Sequence, residues 1–205
     1  MQRWEQEIQA MLMTELSAIT SRLDQWDRDG QGLGISGAVL DECFMHVNLV
    51  LSCSEGFSAR DDLVNEAVHH ILSPTDATTT GARHEGVSLF VVGGMGSGKS
   101  SLMSRVAAHM AETDPQNRAV ITRFCGVSPQ SSDGLSLVRS LCAHMCFLFS
   151  HMSQPPLSGN PDADYSAAVS LLHELLAAHP VILIIVGVDK LSNHFQEKSN
   201  LSFLD

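Results

Sequence analysis

Eight consecutive residues carry the strongest chemical signal in this 205-residue sequence. They fit the pattern G-x-x-x-x-G-K-[ST] at every fixed position. Glycines are needed where backbone N–H groups turn inward around phosphate oxygens and where a Cβ would block their approach. The pattern therefore predicts a phosphate-binding loop. Its candidate residues, with the serine that follows, are Gly93, Gly94, Met95, Gly96, Ser97, Gly98, Lys99, Ser100 and Ser101.

Lys99 and Ser100 supply the reactive side chains of this loop. Lys99 would reach the β- and γ-phosphates as a point charge, and the Ser100 hydroxyl would ligate Mg²⁺. A helix after the loop would direct its N-terminal dipole at the phosphates. The chain holds three lysines and has a net charge of −11, so a lysine here fits a local anion site in an acidic molecule. A dinucleotide fingerprint is disfavoured, because counting from Gly94 puts Lys99 where its last glycine belongs.

The segments around the loop alternate between strand and helix patterns. Short apolar runs predict buried parallel strands, and helical periodicity, as in Leu102, Val106 and Met110, predicts helices between them. In chain order we expect a strand over 87–92, the loop, a helix ending before Pro115, a strand over 119–125, a polar turn over 126–134, a helix over 135–152, a linker over 153–162, a helix over 164–178 and a strand over 181–188. This order indicates an α/β fold, a three-layer sandwich with a parallel sheet.

Helical patterns also precede the loop. Residues 2–26 show one apolar seam, and 27–38 resemble the start of a calcium loop but lack its closing carboxylate, since Ala38 stands at position twelve. A capping box at Ser58 and Asp61 predicts another helix start. The expected apolar faces are Val39, Leu40, Phe44, Val47 and Leu51 in a helix over 37–51, and Leu63, Ala67, Val68 and Ile71 in the next helix. We predict an N-terminal helical region over 1–55 and a nucleotide-binding domain over 56–205.

Composition limits the partners. With a net charge of −11 and no basic stripe, the chain is not expected to bind nucleic acid or an anionic membrane surface. It contains no apolar run of 18 residues and no signal-peptide pattern, which predicts a cytoplasmic protein. Five scattered cysteines in apolar surroundings are typical of reduced thiols. Cys142 and Cys146, near His144 and His151, fit an apolar helix face better than a metal site.

An acid at the end of the last predicted strand completes the candidate site. Parallel strands present their carboxyl ends at one sheet edge, where α/β proteins bind ligands. Asp189 follows the apolar run from Val181 to Val188, and an acid there can hold a Mg²⁺-bound water. We therefore predict a P-loop nucleotide triphosphatase in which Ser100 and Asp189 hold Mg²⁺ with ATP or ADP and Asp189 is the candidate catalytic residue.

Four stretches together resemble the NACHT-type nucleotide-binding domain, and within it the members that carry WD or tetratricopeptide repeats. They are Phe57-x-x-Arg60-Asp61-Asp62-Leu63, the segment GGMGSGKSSL, the segment from Arg123 to Cys142, and VILIIVGVDKLS. The resemblance covers about residues 55 to 205. It implies a signalling ATPase domain that acts as a nucleotide-dependent switch, with protein partners bound through flanking domains. By resemblance, Arg60 lies near the adenine.

Two residues depart from the family pattern, in which the strand ends in Asp-Gly-x-Asp-(Glu or Gln). Val186 stands at the first acid, and Lys190 follows Asp189. Because valine cannot ligate Mg²⁺, we expect weak or absent hydrolysis while phosphate binding is retained. In the sheet order of such folds, the strand beside the phosphate-loop strand comes later in sequence than Asp189. We therefore expect a domain truncated after the Asp189 strand, with a sheet that is incomplete at the C-terminal end.

Other P-loop classes fit less well. The guanine-reading pattern Asn-Lys-x-Asp is absent, since no Asn has an Asp three residues later. An adenine nucleotide is the ligand that the NACHT resemblance implies. A small-molecule kinase is the enzymatic alternative, and its expected Arg-rich lid would have to use arginines that are not clustered: Arg105, Arg118, Arg123 and Arg139. Nucleotide binding with hydrolysis would distinguish an ATPase switch from a non-catalytic scaffold.

Overall fold

The computed structural model describes residues 37–55, 57, 60–72, 88–149 and 157–192. Their helices and strands are α1 (Gly37–Ser54), α2 (Asp61–Leu72), α3 (Lys99–Thr113), β1 (Ala119–Phe124), α4 (Gly134–Phe149), α5 (Pro161–Ala178) and β2 (Val181–Val186). Short 3₁₀ turns at Pro129–Ser131 and Val188–Lys190 follow the two strands. The expected helix over 2–26 and the calcium-like stretch before Gly37 lie outside the described residues.

The two strands form a parallel pair. Ala119 lies opposite Val181 and Phe124 lies opposite Val186, so both strands end at the same edge. Because the strands run parallel, the chain must cross over between them, and α4 and α5 make that connection. The described part of the sheet thus consists of β1 and β2.

Apolar side chains cover both faces of this sheet. On one face Phe124, Ile182, Ile184 and Val186 pack in a cluster with residues of α1, α2 and α3. The opposite face, with Ile121 and Cys125 fully buried, packs against α4 and α5. This arrangement is the expected three-layer α/β sandwich, in which the runs of apolar residues in β1 and β2 are explained by burial on both sides.

The predicted strand over 87–92 is wrong for the residues described, 88–92. They carry no strand assignment and no ladder partner within the described ranges. Val91 packs against the cluster that includes Val106, whereas Phe90 and Val92 are 70% and 93% exposed. An apolar run predicts burial, but a strand also needs a neighbour to accept its backbone hydrogen bonds.

Two predicted helix faces are also corrected. Phe44 and Leu63 are exposed. The buried side of α1 consists of Glu42, Cys43, His46 and Val50, and that of α2 consists of Val64, Ala67 and Val68. In α1 two polar residues bury because they hydrogen-bond to each other and to residues of β1 and the turn after it.

Element ends differ from the sequence prediction by a few residues. Helix α5 begins at Pro161 because Asn160 caps it: the Asn160 side-chain oxygen accepts from the N–H groups of Asp162 and Ala163. Strand β2 ends at Val186 because Gly187 takes a left-handed conformation, with φ 76°. None of the helices in the described ranges is long and apolar enough to cross a membrane.

Candidate functional site

The phosphate-loop pattern lies at the start of α3. Helix α3 begins at Lys99, and Gly98 before it has φ 84°, a left-handed conformation that favours glycine. At Gly93 a Cβ would come within 2.9 Å of the Ser97 Oγ, so a larger residue there would displace the Ser97 side chain. Gly98 is therefore a glycine that the backbone conformation of the loop requires.

Lys99 bends back over the loop. Its Nζ donates to the carbonyl oxygens of Gly93 and Gly94 at 2.6 and 2.8 Å. An ammonium group has three protons, so two of them fix its position and the third can be donated elsewhere. The lysine head is thus held beside the loop backbone with one donor left for an anion.

Backbone amides add to this donor set. The N–H groups of Gly98, Lys99, Ser100 and Ser101 donate to no acceptor among the described residues, as the first turn of a helix requires. Helix dipole and amides together favour a negative charge at this end of α3. The N-terminal end of α3 therefore offers amide donors, the Lys99 ammonium and the Ser100 hydroxyl within one turn.

Arg60 also contacts this loop. It precedes α2, and its Nη1 donates to the Ser97 carbonyl oxygen at 2.7 Å. The same nitrogen lies 3.5 Å from the place that a Cβ on Gly98 would occupy. The structure therefore places Arg60, which was expected near the adenine by resemblance, against the phosphate loop itself.

Val186 is the residue that we expected at the first acid of the family pattern. It is 7% exposed and packs in the same apolar cluster as Leu102 of α3 and Phe124 of β1. Such surroundings suit valine and provide no ligand oxygen from this side chain. The expected departure at position 186 is thus a buried apolar contact between the strand end and the face of α3.

Asp189 and Lys190 stand on the 3₁₀ turn after β2, and both side chains are exposed. The aliphatic part of Lys190 packs against two glycines, since a Cβ on Gly126 would come within 3.1 Å of its Cβ and one on Gly187 within 3.4 Å of its Cδ. Burial, followed by the nearby charge of Asp189, raises the pKa of the Cys125 thiol to about 11. The candidate acid therefore lies close to the end of β1.

Two arginines that the kinase alternative would need in a lid are engaged elsewhere. Arg118 forms an ion pair with Asp114, with 2.8 Å between Nη2 and Oδ1. Arg123 is 1% exposed and donates to the Thr122 carbonyl and to His144 Nδ1, both at 3.0 Å. Neither guanidinium is therefore exposed at the loop.

None of the five cysteines forms a disulfide, and all of them are buried or partly buried. Burial raises the pKa of Cys142 to about 12 and raises that of Cys146. These thiols stay protonated at neutral pH, as expected of cysteines that serve as small apolar side chains. In the part of the chain that the structure describes, no three His, Cys, Asp or Glu side chains come together as metal ligands.

Sequence reasoning missed the polar residues behind β1. Glu42 and His46 were not assigned to any site, and Arg123 was noted only as part of the family resemblance and as an unclustered arginine. A usable signal existed, because Glu42 and His46 are four residues apart and so share one face of a helix. What the sequence does not give is their partner, the end of β1, which lies about 80 residues later.

A phosphate loop at the N-terminus of a helix, next to a parallel sheet with helices packed on both faces, is typical of P-loop nucleotide triphosphatases. A model of the NACHT domain family matches residues 88–204, more than half of the chain. The chain belongs to the NACHT family and is a nucleotide-binding domain of the P-loop class. No curated protein and no solved structure showed significant similarity to it.

Proposed function

We propose that this protein binds ATP or ADP through the loop from Gly93 to Ser101 and acts as a nucleotide-dependent switch or scaffold, with slow or absent hydrolysis. The observation that carries the proposal is the position of Lys99, the first residue of α3, whose Nζ donates to the carbonyl oxygens of Gly93 and Gly94 in the loop. A preorganised donor set of this kind binds phosphate without first having to reorganise.

Two oxygen donors of this chain suit Mg²⁺. Mg²⁺ is usually bound through one or two protein oxygens, nucleotide phosphates and water. The Ser100 hydroxyl, in the first turn of α3, and the Asp189 carboxylate, on the exposed turn after β2, are of the right chemical class. Bound there, the ion would neutralise phosphate charge. Val186 contributes nothing to it, which is why we propose that binding outlasts turnover.

The proposed setting is a signalling protein in the cytoplasm that works through protein partners bound by flanking domains. The net charge of −11 supports this setting, because an acidic surface repels nucleic acids and anionic membranes. Nucleotide would then set the arrangement of the domain, and flanking segments would respond to it.

Replacing Lys99 with Ala tests the proposal. Isothermal titration with ATP and with ADP should show weaker binding, by about 10- to 100-fold, because a charge-assisted contact is lost. Ser100→Ala should weaken binding in the presence of Mg²⁺. Equal affinities for the wild type and Lys99→Ala would contradict the proposal.

A further inference from the structure

Helix α1 has a polar side that is buried. Glu42 and His46 are 6% and 1% exposed, and they lie one helical turn apart, with 2.8 Å between His46 Nε2 and Glu42 Oε1. Helix α1 precedes residues 88–204, which match the NACHT family. A buried carboxylate and imidazole are costly to keep unless each is hydrogen-bonded, so the partners of this pair show what it does.

The partner of His46 is the end of β1. The backbone N–H of Phe124 donates to His46 Nδ1 at 3.1 Å. Nδ1 therefore carries a lone pair, and the ring proton resides on Nε2 and is donated to Glu42. The imidazole is thus neutral, in keeping with the lowered pKa of His46, for which burial is the main cause.

The partner of Glu42 is the turn after β1. The Ser128 hydroxyl donates to Glu42 Oε1 at 2.7 Å. Within the turn, the Ser128 N–H donates to Ser131 Oγ at 3.1 Å, and the Gly126 N–H donates to the Ser131 carbonyl at 2.7 Å. One carboxylate oxygen thus accepts from both His46 and Ser128 and ties α1 to this turn.

The turn over 126–132 also contacts the segment that carries Asp189. Gly126 lies against the Lys190 side chain, and the Ser192 N–H donates to the Ser132 carbonyl at 2.8 Å. At the strand ends, the Cys125 N–H donates to the Val186 carbonyl at 2.8 Å. A continuous set of contacts therefore runs from α1 through the turn over 126–132 to residues 186–192.

We propose that Glu42 and His46 are positioning residues of the nucleotide site, which hold the turn over 126–132 and through it fix where Asp189 and Lys190 stand. The inference rests on the proposed nucleotide binding. It gives α1 a role in the site although α1 lies outside the family match. It also gives a role to Ser128 and Ser131, which lie in the stretch that resembles NACHT domains. The Ser128 hydroxyl donates to Glu42, and the hydroxyls of Ser128 and Ser131 hydrogen-bond to each other.

Three substitutions in the full chain test this role. Glu42→Ala removes the acceptor of both bonds, whereas Glu42→Gln keeps an oxygen that can accept from His46 and Ser128. Asp41→Ala is the matched control, because Asp41 is the neighbouring acid on the exposed side of α1. We expect the Kd for MgATP to rise about tenfold in Glu42→Ala, as is typical when a residue that positions ligand-binding groups is lost. The Kd should stay near the wild-type value in Glu42→Gln and Asp41→Ala.

Hydrogen exchange separates positioning from general stability. In Glu42→Ala the amides of Gly126, Lys190 and Ser192 should exchange faster, while those that bond between β1 and β2 keep their rates. Uniformly faster exchange, or a Glu42→Gln variant as impaired as Glu42→Ala, would overturn the inference. If Glu42→Ala does not fold, Ser128→Ala breaks the same link and should accelerate the same three amides. A wild type that binds no nucleotide would refute the proposed function, while the exchange rates would still decide whether α1 holds this turn.

Discussion

Two apolar segments lead into the candidate site, and each lacks a feature that the other has. Residues 88–92 lead to a phosphate loop that fits its pattern at every position, yet they pair with no strand in the described ranges. Strand β2 is paired along its length, with one face buried and the other partly buried, and it ends in Val186, where the expected family pattern has an acid. The sequence of a phosphate loop can therefore be complete although the segment before it has no strand partner in the described ranges.

Hydrogen exchange should show the largest difference between these segments. The amides that bond between β1 and β2 should exchange more slowly than those of residues 88–92, by roughly two orders of magnitude or more, because only the former have ladder partners. The exposed side chains of Phe90 and Val92 should also bind ANS. Replacing both with Ser should reduce ANS fluorescence without changing exchange in β1 and β2.

Equal protection of residues 88–92 and β2 would contradict that expectation. It would mean that a strand beyond the described residues, or a second molecule, pairs with the segment. The strand that we expected later in the sequence stays a prediction.

Most of the fold was predictable because its signals are local. Periodicity gave the helices and β1 and β2 to within a few residues, and the glycine pattern gave the loop. The sheet order of P-loop folds predicted that the neighbour of residues 88–92 would be missing, and no described strand pairs with them. What the apolar run did not predict is that these residues form no strand at all without that neighbour. Likewise the burial of Glu42 depends on Ser128, which is 86 residues away, and no local pattern contains that contact.

Placing an acid at position 186 tests the altered end of β2. Val186→Asp should increase the Mg²⁺-dependent part of ATP affinity, or hydrolysis, by about tenfold, because a carboxylate there can ligate the ion. Without Mg²⁺ the variant should be less stable than the wild type, since the site is apolar and buried. Val186→Asn is the matched control, because asparagine has the shape of aspartate without its charge.

The opposite result has a definite meaning. If Val186→Asp changes neither affinity nor turnover while Asp189→Ala abolishes turnover, then Asp189 is the metal acid. The alignment of this strand end with the family pattern, as given above, would then be wrong.

Low pH should reduce the free energy of unfolding. Burial, with smaller effects from Arg123 and His46, lowers the pKa of His144 to about 3, and burial also lowers that of His46. The unfolded chain then binds protons that the folded chain does not. Stability is complete above pH 6.5 and falls as the pH drops below it, by roughly 1 kcal/mol per pH unit for His144.

Urea midpoints at pH 7.5, 6 and 5 would measure this loss. His144→Asn should make the midpoint less dependent on pH, because its Oδ1 can accept from Arg123 without titrating. His70→Asn, on the exposed side of α2, should leave the pH dependence as in the wild type. The same slope in His144→Asn and the wild type would assign the loss to other groups.

The smallest expected effect is that of Arg60 at the loop. Its guanidinium donates to the Ser97 carbonyl and is exposed, so its charge acts on bound phosphates through solvent. Arg60→Ala should therefore weaken ATP binding by about two- to fivefold at low salt, which is the range for exposed charge interactions, and by less at 0.5 M salt. Arg118→Ala removes the same charge at the other end of α3 and should have little effect.

Salt dependence distinguishes the two roles that Arg60 can have. If it acts on phosphate charge, its contribution should be larger for ATP than for ADP and should fade as salt is added. A contribution that is equal for ATP and ADP and unchanged by salt would instead indicate contact with the adenine, which the two nucleotides share. That result would mean that Arg60 leaves Ser97 when nucleotide binds, and the loop contact would then belong to the nucleotide-free state.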